Sequence, residues 1–326
     1  MEGAAASGSA TASGGAGAPA GPVAVVSGGA RGIGRAAALA LARAGHRVCV
    51  NDTGAALDGR HPDPSPARAV SEEIRAAGGA AMASTADARA ADTARALVAD
   101  VERWAGEAPT VLVHAAGTLR DGMVHKSSDD DWAEVLGSHL GVAVQLTRAM
   151  APAIRSRRYG RIVYVAGAAG LVGNAGQASY CVAKAALFGL TRAVALEMAG
   201  RDVRVNYLVP FAFTRMTESI PPVSEQLRAY LGWAPRSTPG DVAGVIAWLC
   251  SDAGAAVTGQ VVGVRATEVT VWSQPRPAAA VVGAAAWDPT RLVQDAEPRL
   301  AAHLTPLESE FDLFSAGPPA PGDGTH

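Results

Sequence analysis

With three cysteines in 326 residues, Cys49, Cys181 and Cys250, the chain has too few thiols for a disulfide scaffold. Their number is odd, no two stand at a paired spacing, and each lies beside apolar residues. That pattern predicts buried free thiols in a reducing compartment, the cytoplasm. Excess charge is equally scarce: a net charge of −2 leaves no basic footprint for nucleic acid. The seven histidines show no ligand spacing, so no metal is expected. No run reads as long and apolar enough to span a bilayer, which excludes the membrane, and the short apolar stretch Ala278 to Ala286, flanked by prolines, is expected to pack. Residues 1–21, rich in Ala, Gly and Ser, lack the basic start and apolar core of a secretory signal and are expected to form a disordered leader.

What is present is a core-forming middle. At 49% hydrophobic content the chain can bury one large core. Short β-branched runs near Val23 to Val26, Arg47 to Asn51, Ala80 to Thr85, Thr110 to His114, Gly160 to Ala166, Val203 to Val209 and Gln260 to Val264 alternate with helical stretches. This predicts an α/β fold: a single doubly wound, Rossmann-type domain with a parallel sheet over residues 22–264, plus a C-terminal extension over 265–326. Ligands belong at the carboxyl ends of such strands.

The first strand runs into Ser27-Gly28-Gly29-Ala30-Arg31-Gly32-Ile33-Gly34, and an Ala- and Leu-rich helix follows. Glycines there let the backbone approach a pyrophosphate, and the helix N-terminus offers N–H groups to its charge. The second strand ends at Asp52, close to the spacing at which a carboxylate meets the adenosine ribose. Such a carboxylate repels a 2′-phosphate and favours NAD, whereas the Arg31 guanidinium could pair with that phosphate and leaves NADP open.

Tyr180 and Lys184 stand four residues apart on a predicted helix, so their side chains share a face. An ammonium beside a phenol, whose ordinary pKa is about 10, favours the phenolate. A phenol tuned in this way can exchange a proton with an alcohol oxygen as hydride moves between carbon and nicotinamide. The same spacing also occurs on plain solvated helix faces.

Taken together these residues resemble the short-chain dehydrogenase/reductase family over roughly Val23 to Val264: the glycine turn, Asp87 after the third strand, Ala116-Gly117 after the fourth, Tyr180-x-x-x-Lys184, and Asn206 with Pro210 on the sixth. Within the family, Asn51 to Gly54, Leu119-Arg120-Asp121, Asp131-Trp132, His139-Leu140, Gly173 to Tyr180 and Thr214 to Glu218 resemble the (3R)-hydroxyacyl-CoA dehydrogenase domain of peroxisomal multifunctional enzymes and its bacterial relatives. The resemblance implies 3-oxoacyl or 3-hydroxyacyl thioesters as substrates. It makes Tyr180 the proton donor or acceptor and has Lys184 lower its pKa and hold the nicotinamide ribose. Ser27, Gly28, Arg31, Gly32, Ile33, Gly34, Asp52, Asp87, Ala116, Gly117, Pro210 and Thr214 complete the implied cofactor site. His139 takes the position of the family's asparagine, as in the multifunctional-type relatives.

The chain departs from the family where the catalytic serine is due. That position, 13 before the tyrosine, is Gly167, flanked by alanines. Losing one such donor costs about 2.7–4 kcal/mol, or roughly 10²- to 10³-fold in rate, unless His139 or a water substitutes. His114 and Ala115 replace two asparagines, and Phe211 replaces a glycine, placing a ring near the nicotinamide pocket. Two functions follow: an NAD(P)-dependent oxidoreductase interconverting a carbonyl and a secondary alcohol, or a catalytically silent, nucleotide-binding subunit that scaffolds an active paralogue. The partners implied are a small-molecule substrate and a homo-oligomer, dimer or tetramer, or a hetero-oligomer with a related active subunit.

Gly54 to Pro66 reads as a surface loop, and the proline-broken Thr214 to Pro239 as a substrate lid. In the extension, Glu268 to Ser273 reads as a strand, Pro289 to Leu304 as a helix, and Leu307 to Phe314 as an apolar arm. Such an arm needs a surface to cover it, which is expected on a neighbouring subunit or on the chain's own core.

Overall fold

The computed structural model describes residues 21–319, so the expected leader lies outside the described residues apart from Gly21. Eight strands form one sheet: β1 (Val23–Ser27), β2 (Arg47–Asn51), β3 (Ala81–Ser84), β4 (Val111–His114), β5 (Tyr159–Val165), β6 (Asp202–Phe211), β7 (Val261–Arg265) and β8 (Glu268–Val271). Their spatial order is β3-β2-β1-β4-β5-β6-β7-β8. The first seven are parallel and β8 pairs antiparallel with β7. Chain order reverses between β1 and β4, and the crevice this opens at the strands' carboxyl ends is where a doubly wound fold binds ligand.

The strands are apolar on both faces because helices cover both. Successive residues of β1 divide accordingly: Val23 and Val25 join one buried cluster, Ala24 and Val26 the other. In chain order the helices are α1 (Gly32–Arg43), α2 (Ser65–Ala76), α3 (Ala91–Ala105), α4 (Asp129–Leu136), α5 (Val142–Arg157), α6 (Ala169–Val172), α7 (Ala178–Glu197), α8 (Arg215–Glu218), α9 (Glu225–Trp233) and α10 (Pro239–Leu249). A single π-helical turn, Gly137–Gly141, joins α4 to α5. Sequence chemistry fixes several starts: Ser128 and Asp131 form a capping box on α4, Thr238 and Asp241 one on α10, where Pro239 fills the first turn.

Three expectations need correction. Over an 18-residue window α7 reaches a mean hydropathy of 1.2, so one helix is long and apolar enough by length and composition to cross a membrane. It flanks the sheet, packed on β6 and α6, with Ala183, Leu187 and Val194 buried. Residues 278–286 form no regular structure and are largely exposed, since a run this short buries too little surface to hold itself down. The helix expected over residues 289–304 is present from Pro289 to His303 but not as one regular α-helix: α11 (Pro289–Arg291), a π-turn, α12 (Glu297–Leu300), which contains Pro298, and a 3-10 turn follow one another without a gap. The apolar arm, for which a neighbouring subunit and the chain's own core both stood open, contains a short helix, α13 (Glu310–Leu313), and packs Phe311 and Phe314 against this chain's main core.

Candidate active site

A cavity of about 480 Å³ opens at the carboxyl ends of the strands. Every predicted site residue lines it except Ser27. Ser27 is fully buried and its Oγ lies 2.7 Å from His114 Nδ1, so its side chain serves the fold. This corrects its expected cofactor role, which the sequence could not distinguish from that of its glycine neighbours.

The glycine turn is tight. Gly28 has φ +72, and a Cβ there would meet the Ala116 nitrogen at 2.4 Å; a Cβ on Gly34 would meet the Gly28 oxygen at 1.9 Å. Only glycine admits this approach of β1, α1 and the segment after β4. The N-cap of α1, Arg31, makes no side-chain cap and the first turn carries no acid, so the N–H groups there suit an anion. Asp52 accepts from the Ala30 and Gly54 nitrogens, one per carboxylate oxygen at 2.9 and 2.7 Å, so it braces the turn while facing the cavity. Arg31 Nη1 donates to the Gly54 and Ala55 carbonyls, each at 3.1 Å, which draws the 54–66 loop to the cavity's lip. Asp87, gripped by Arg89, is held below the usual carboxylate range. Thr214 caps α8, and its methyl lies 3.4 Å from where a Gly32 Cβ would stand.

Beyond the turn lies Tyr180. Lys184 is buried and donates from Nζ to the Val165 carbonyl at 3.0 Å, with Nζ 5.3 Å from the Tyr180 ring centroid. Burial pulls this amine down to about 7. The phenol goes the other way: burial first, then the Glu310 carboxyl, push Tyr180 well above its ordinary value. The expected lowering of the Tyr180 pKa by Lys184 is therefore corrected, because lost solvation outweighs attraction to an amine that is itself reluctant to ionise. A Cβ at Gly167 would touch only the Tyr180 hydroxyl, at 3.6 Å, so the cavity has room for a serine there.

The histidines form a buried brace. His114 Nε2 lies 2.7 Å from the His139 carbonyl while Nδ1 meets Ser27, so Nε2 donates and Nδ1 accepts; burial pulls its pKa down to about 3. His139 sits in the π-turn, its ring edge-on to Tyr180 at 5.3 Å between centroids. Its Nε2 donates to the Thr118 carbonyl at 2.9 Å and burial keeps the ring neutral. With that N–H engaged and Nδ1 left as a buried acceptor without a partner, His139 has no hydrogen for a substrate oxygen. It does not substitute for the missing hydroxyl as expected.

The C-terminal arm closes the far wall, and here the sequence reading missed a residue. Glu310 lines the cavity alongside Tyr180 and Gly167. Its Oε1 accepts from Asn174 Nδ2 at 2.7 Å and its backbone nitrogen donates to Asn174 Oδ1 at 3.2 Å. Phe211, expected near the nicotinamide pocket, lines the cavity and also packs on Phe314 at 4.6 Å and on Trp233 at 6.2 Å between centroids. Trp233 Nε1 donates to the Phe314 carbonyl at 3.0 Å, Arg265 Nη1 to that of Ala316 at 2.8 Å, and Phe311 meets Tyr230 at 5.3 Å. The available signal was Ser309-x-x-Asp312, a capping box that starts α13, with aromatics at 311 and 314 on one side of the acid.

The chain is similar to known proteins. The family described as enoyl-(acyl carrier protein) reductase matches residues 28–266. A short-chain type dehydrogenase/reductase of Mycobacterium tuberculosis is 40% identical over 232 residues, 71% of this chain and 77% of that protein. The chain belongs to the short-chain dehydrogenase/reductase family. The 3-oxoacyl-[acyl-carrier-protein] reductase FabG of Pseudomonas aeruginosa is 34% identical over 249 residues, 75% of this chain and 96% of the reductase. Peroxisomal multifunctional enzyme type 2 of Drosophila melanogaster is 37% identical over 238 residues, covering 71% of this chain and 37% of that enzyme. A crystal structure of a short-chain dehydrogenase from Mycobacterium avium superposes with a TM-score of 0.72 at 32% identity, covering 92% of this chain and 96% of that one. This short-chain dehydrogenase/reductase is an oxidoreductase.

Proposed function

We propose that this short-chain dehydrogenase/reductase interconverts 3-oxoacyl and 3-hydroxyacyl thioesters with a nicotinamide dinucleotide, through Tyr180 and Lys184. The observation that carries the reading is that Tyr180, Lys184 and the glycine turn line one cavity. The thioester class is supported by relatives named for 3-oxoacyl-carrier-protein reduction and by the likeness to the multifunctional enzyme. The nicotinamide, when bound, supplies or accepts hydride. Gly28, Gly32, Ile33, Gly34, Ala116, Gly117 and Pro210 give its dinucleotide close backbone approach, Asp52 and Asp87 face its adenosine end, and Thr214 its carboxamide. Tyr180 carries the proton that joins or leaves the substrate oxygen. A phenol held above its ordinary range keeps that proton at neutral pH, the form that can donate to a carbonyl oxygen. Lys184, near neutrality, is poised to change charge as the site fills.

NAD fits better than NADP, because Asp52 faces the cavity while Arg31 is engaged with two carbonyls. The reading includes a cytoplasmic location, consistent with three free cysteines, and a homo-oligomer. The silent-subunit reading draws on Gly167 and on a phenol that Lys184 does not acidify. One assay separates the two: oxidation of NADH and NADPH by the full chain with short 3-oxoacyl-CoA substrates, beside Tyr180→Phe. Intrinsic activity that falls at least about 10²-fold in Tyr180→Phe supports the enzyme. Activity seen only with a partner subunit, and unchanged by Tyr180→Phe, overturns it.

A further inference from the structure

We infer that the C-terminal arm restores what Gly167 removes: the Glu310 carboxylic acid donates the second hydrogen bond to the substrate carbonyl oxygen beside Tyr180. The inference rests on the function proposed above and concerns the same cavity. Four observations converge on it. Glu310 shares the cavity wall with Gly167 and Tyr180. The Ala169 backbone N–H, two residues beyond Gly167, is near enough to pull the Glu310 carboxyl's pKa down, so the acid stands beside the very stretch of chain that lacks a hydroxyl. Its position is fixed rather than incidental, since Asn174 holds both its side chain and its backbone, while Phe311 and Phe314 anchor the segment on Tyr230, Phe211 and Trp233. Phe211, a departure from the family, is the socket for Phe314, so the altered strand end and the arm belong to one device.

The chemistry suits a donor. Burial raises the Glu310 pKa, and the groups that respond to its charge, Tyr180, Cys181, Tyr207 and Tyr230, are themselves reluctant acids that offer no compensating cation. Burial favours the protonated acid and outweighs the opposing pull of the Asn174 and Ala169 donors. With Asn174 donating to Oε1, the acid's own O–H is the group left to face substrate. In reduction a bound nicotinamide would supply hydride to the carbonyl carbon, and the carbonyl oxygen would take its proton from Tyr180. Glu310 supplies a hydrogen bond to that oxygen as negative charge builds and keeps its proton throughout. A preorganised donor of this type is worth about 10²- to 10³-fold in rate.

The test uses the full chain with NADH or NADPH and a short 3-oxoacyl-CoA, comparing Glu310→Ala, Glu310→Gln, Gly167→Ser and the double variant Glu310→Ala/Gly167→Ser. Glu310→Ala is expected to lose about 10²- to 10³-fold in kcat. Glu310→Gln, whose amide still donates, should retain most activity, and the double variant should recover most of the loss. Infrared difference spectra of the full chain against Glu310→Gln at neutral pH supply a readout independent of turnover: the expected signal is a protonated carboxylic C=O band. Circular dichroism confirms that each variant is folded. An active parent that loses activity in Tyr180→Phe but not in Glu310→Ala overturns this inference alone. So does a rise in activity in Glu310→Ala, which would make the arm a plug, or a carboxylate band in place of the acid. A parent inactive in all conditions overturns the function and this inference together.

Discussion

Gly117 and Gly167 both face Tyr180's surroundings, yet a methyl group would fare differently at each. At Gly117 a Cβ would fall 1.9 Å from His139 Cε1, against a buried ring held by the Thr118 carbonyl; at Gly167 it would meet one hydroxyl at ordinary van der Waals distance. Gly117→Ala is expected to cost about 1–3 kcal/mol by overpacking and to displace His139, whereas Gly167→Ser should shift stability by less than about 0.5 kcal/mol. Urea denaturation of both variants checks the contrast, and equal losses would contradict it. The sequence made the glycine turn, Asp52, Tyr180 and Lys184 legible because each is tied to its role by spacing along one or two elements. It could not reveal the direction of the Tyr180 shift, which depends on burial and on an acid 130 residues away in the chain. Nor could it show that Ser27 turns inward, since that follows from a histidine on a neighbouring strand.

At the scale of elements, the seven parallel strands were readable from short β-branched runs, because burial on both faces leaves little room for other residues. The extension was readable only in part. Its one strand adds to an existing edge, its helix continues through Pro298 in mixed α, π and 3-10 form, and where its arm docks depends on side chains of β6, α9, β7 and the loop before α7 that no local pattern joins. Two predictions belong here. Phe314→Ala removes the ring packed on Phe211 and Trp272. It should free the arm: limited proteolysis should cut near residues 305–309 at least about tenfold faster, while the main unfolding transition moves little. Thr238→Ala removes the capping box of α10, which packs on α1, and should lower stability by about 1 kcal/mol in denaturant titration.

For the whole molecule, stability should depend on pH in a way the buried groups dictate. Lys184 has a folded pKa of about 7 against 10.5 ordinarily, so between these values the unfolded chain binds more protons and stability rises with pH. Cys49 and Cys250, raised to about 12 from 9.0, together with Tyr164 and Tyr180, raised above 10.0, bind more protons when folded, so stability falls once pH passes roughly 9 to 10. Lys184→Met should be more stable than the parent near pH 7, with an advantage that shrinks towards pH 10 by up to about 1.4 kcal/mol per pH unit. Denaturation at intervals across that range, with and without the substitution, measures the slope, and a flat difference would contradict it.

The arm also sets an order of events in the life of the polypeptide. All eight strands are complete by Val271, about forty residues before α13 begins at Glu310. A chain growing on the ribosome can therefore settle its sheet and cradle a nucleotide while one wall of the reaction chamber is still unmade. That wall follows only when the later arm seats Glu310 on Asn174 and Phe314 on Phe211.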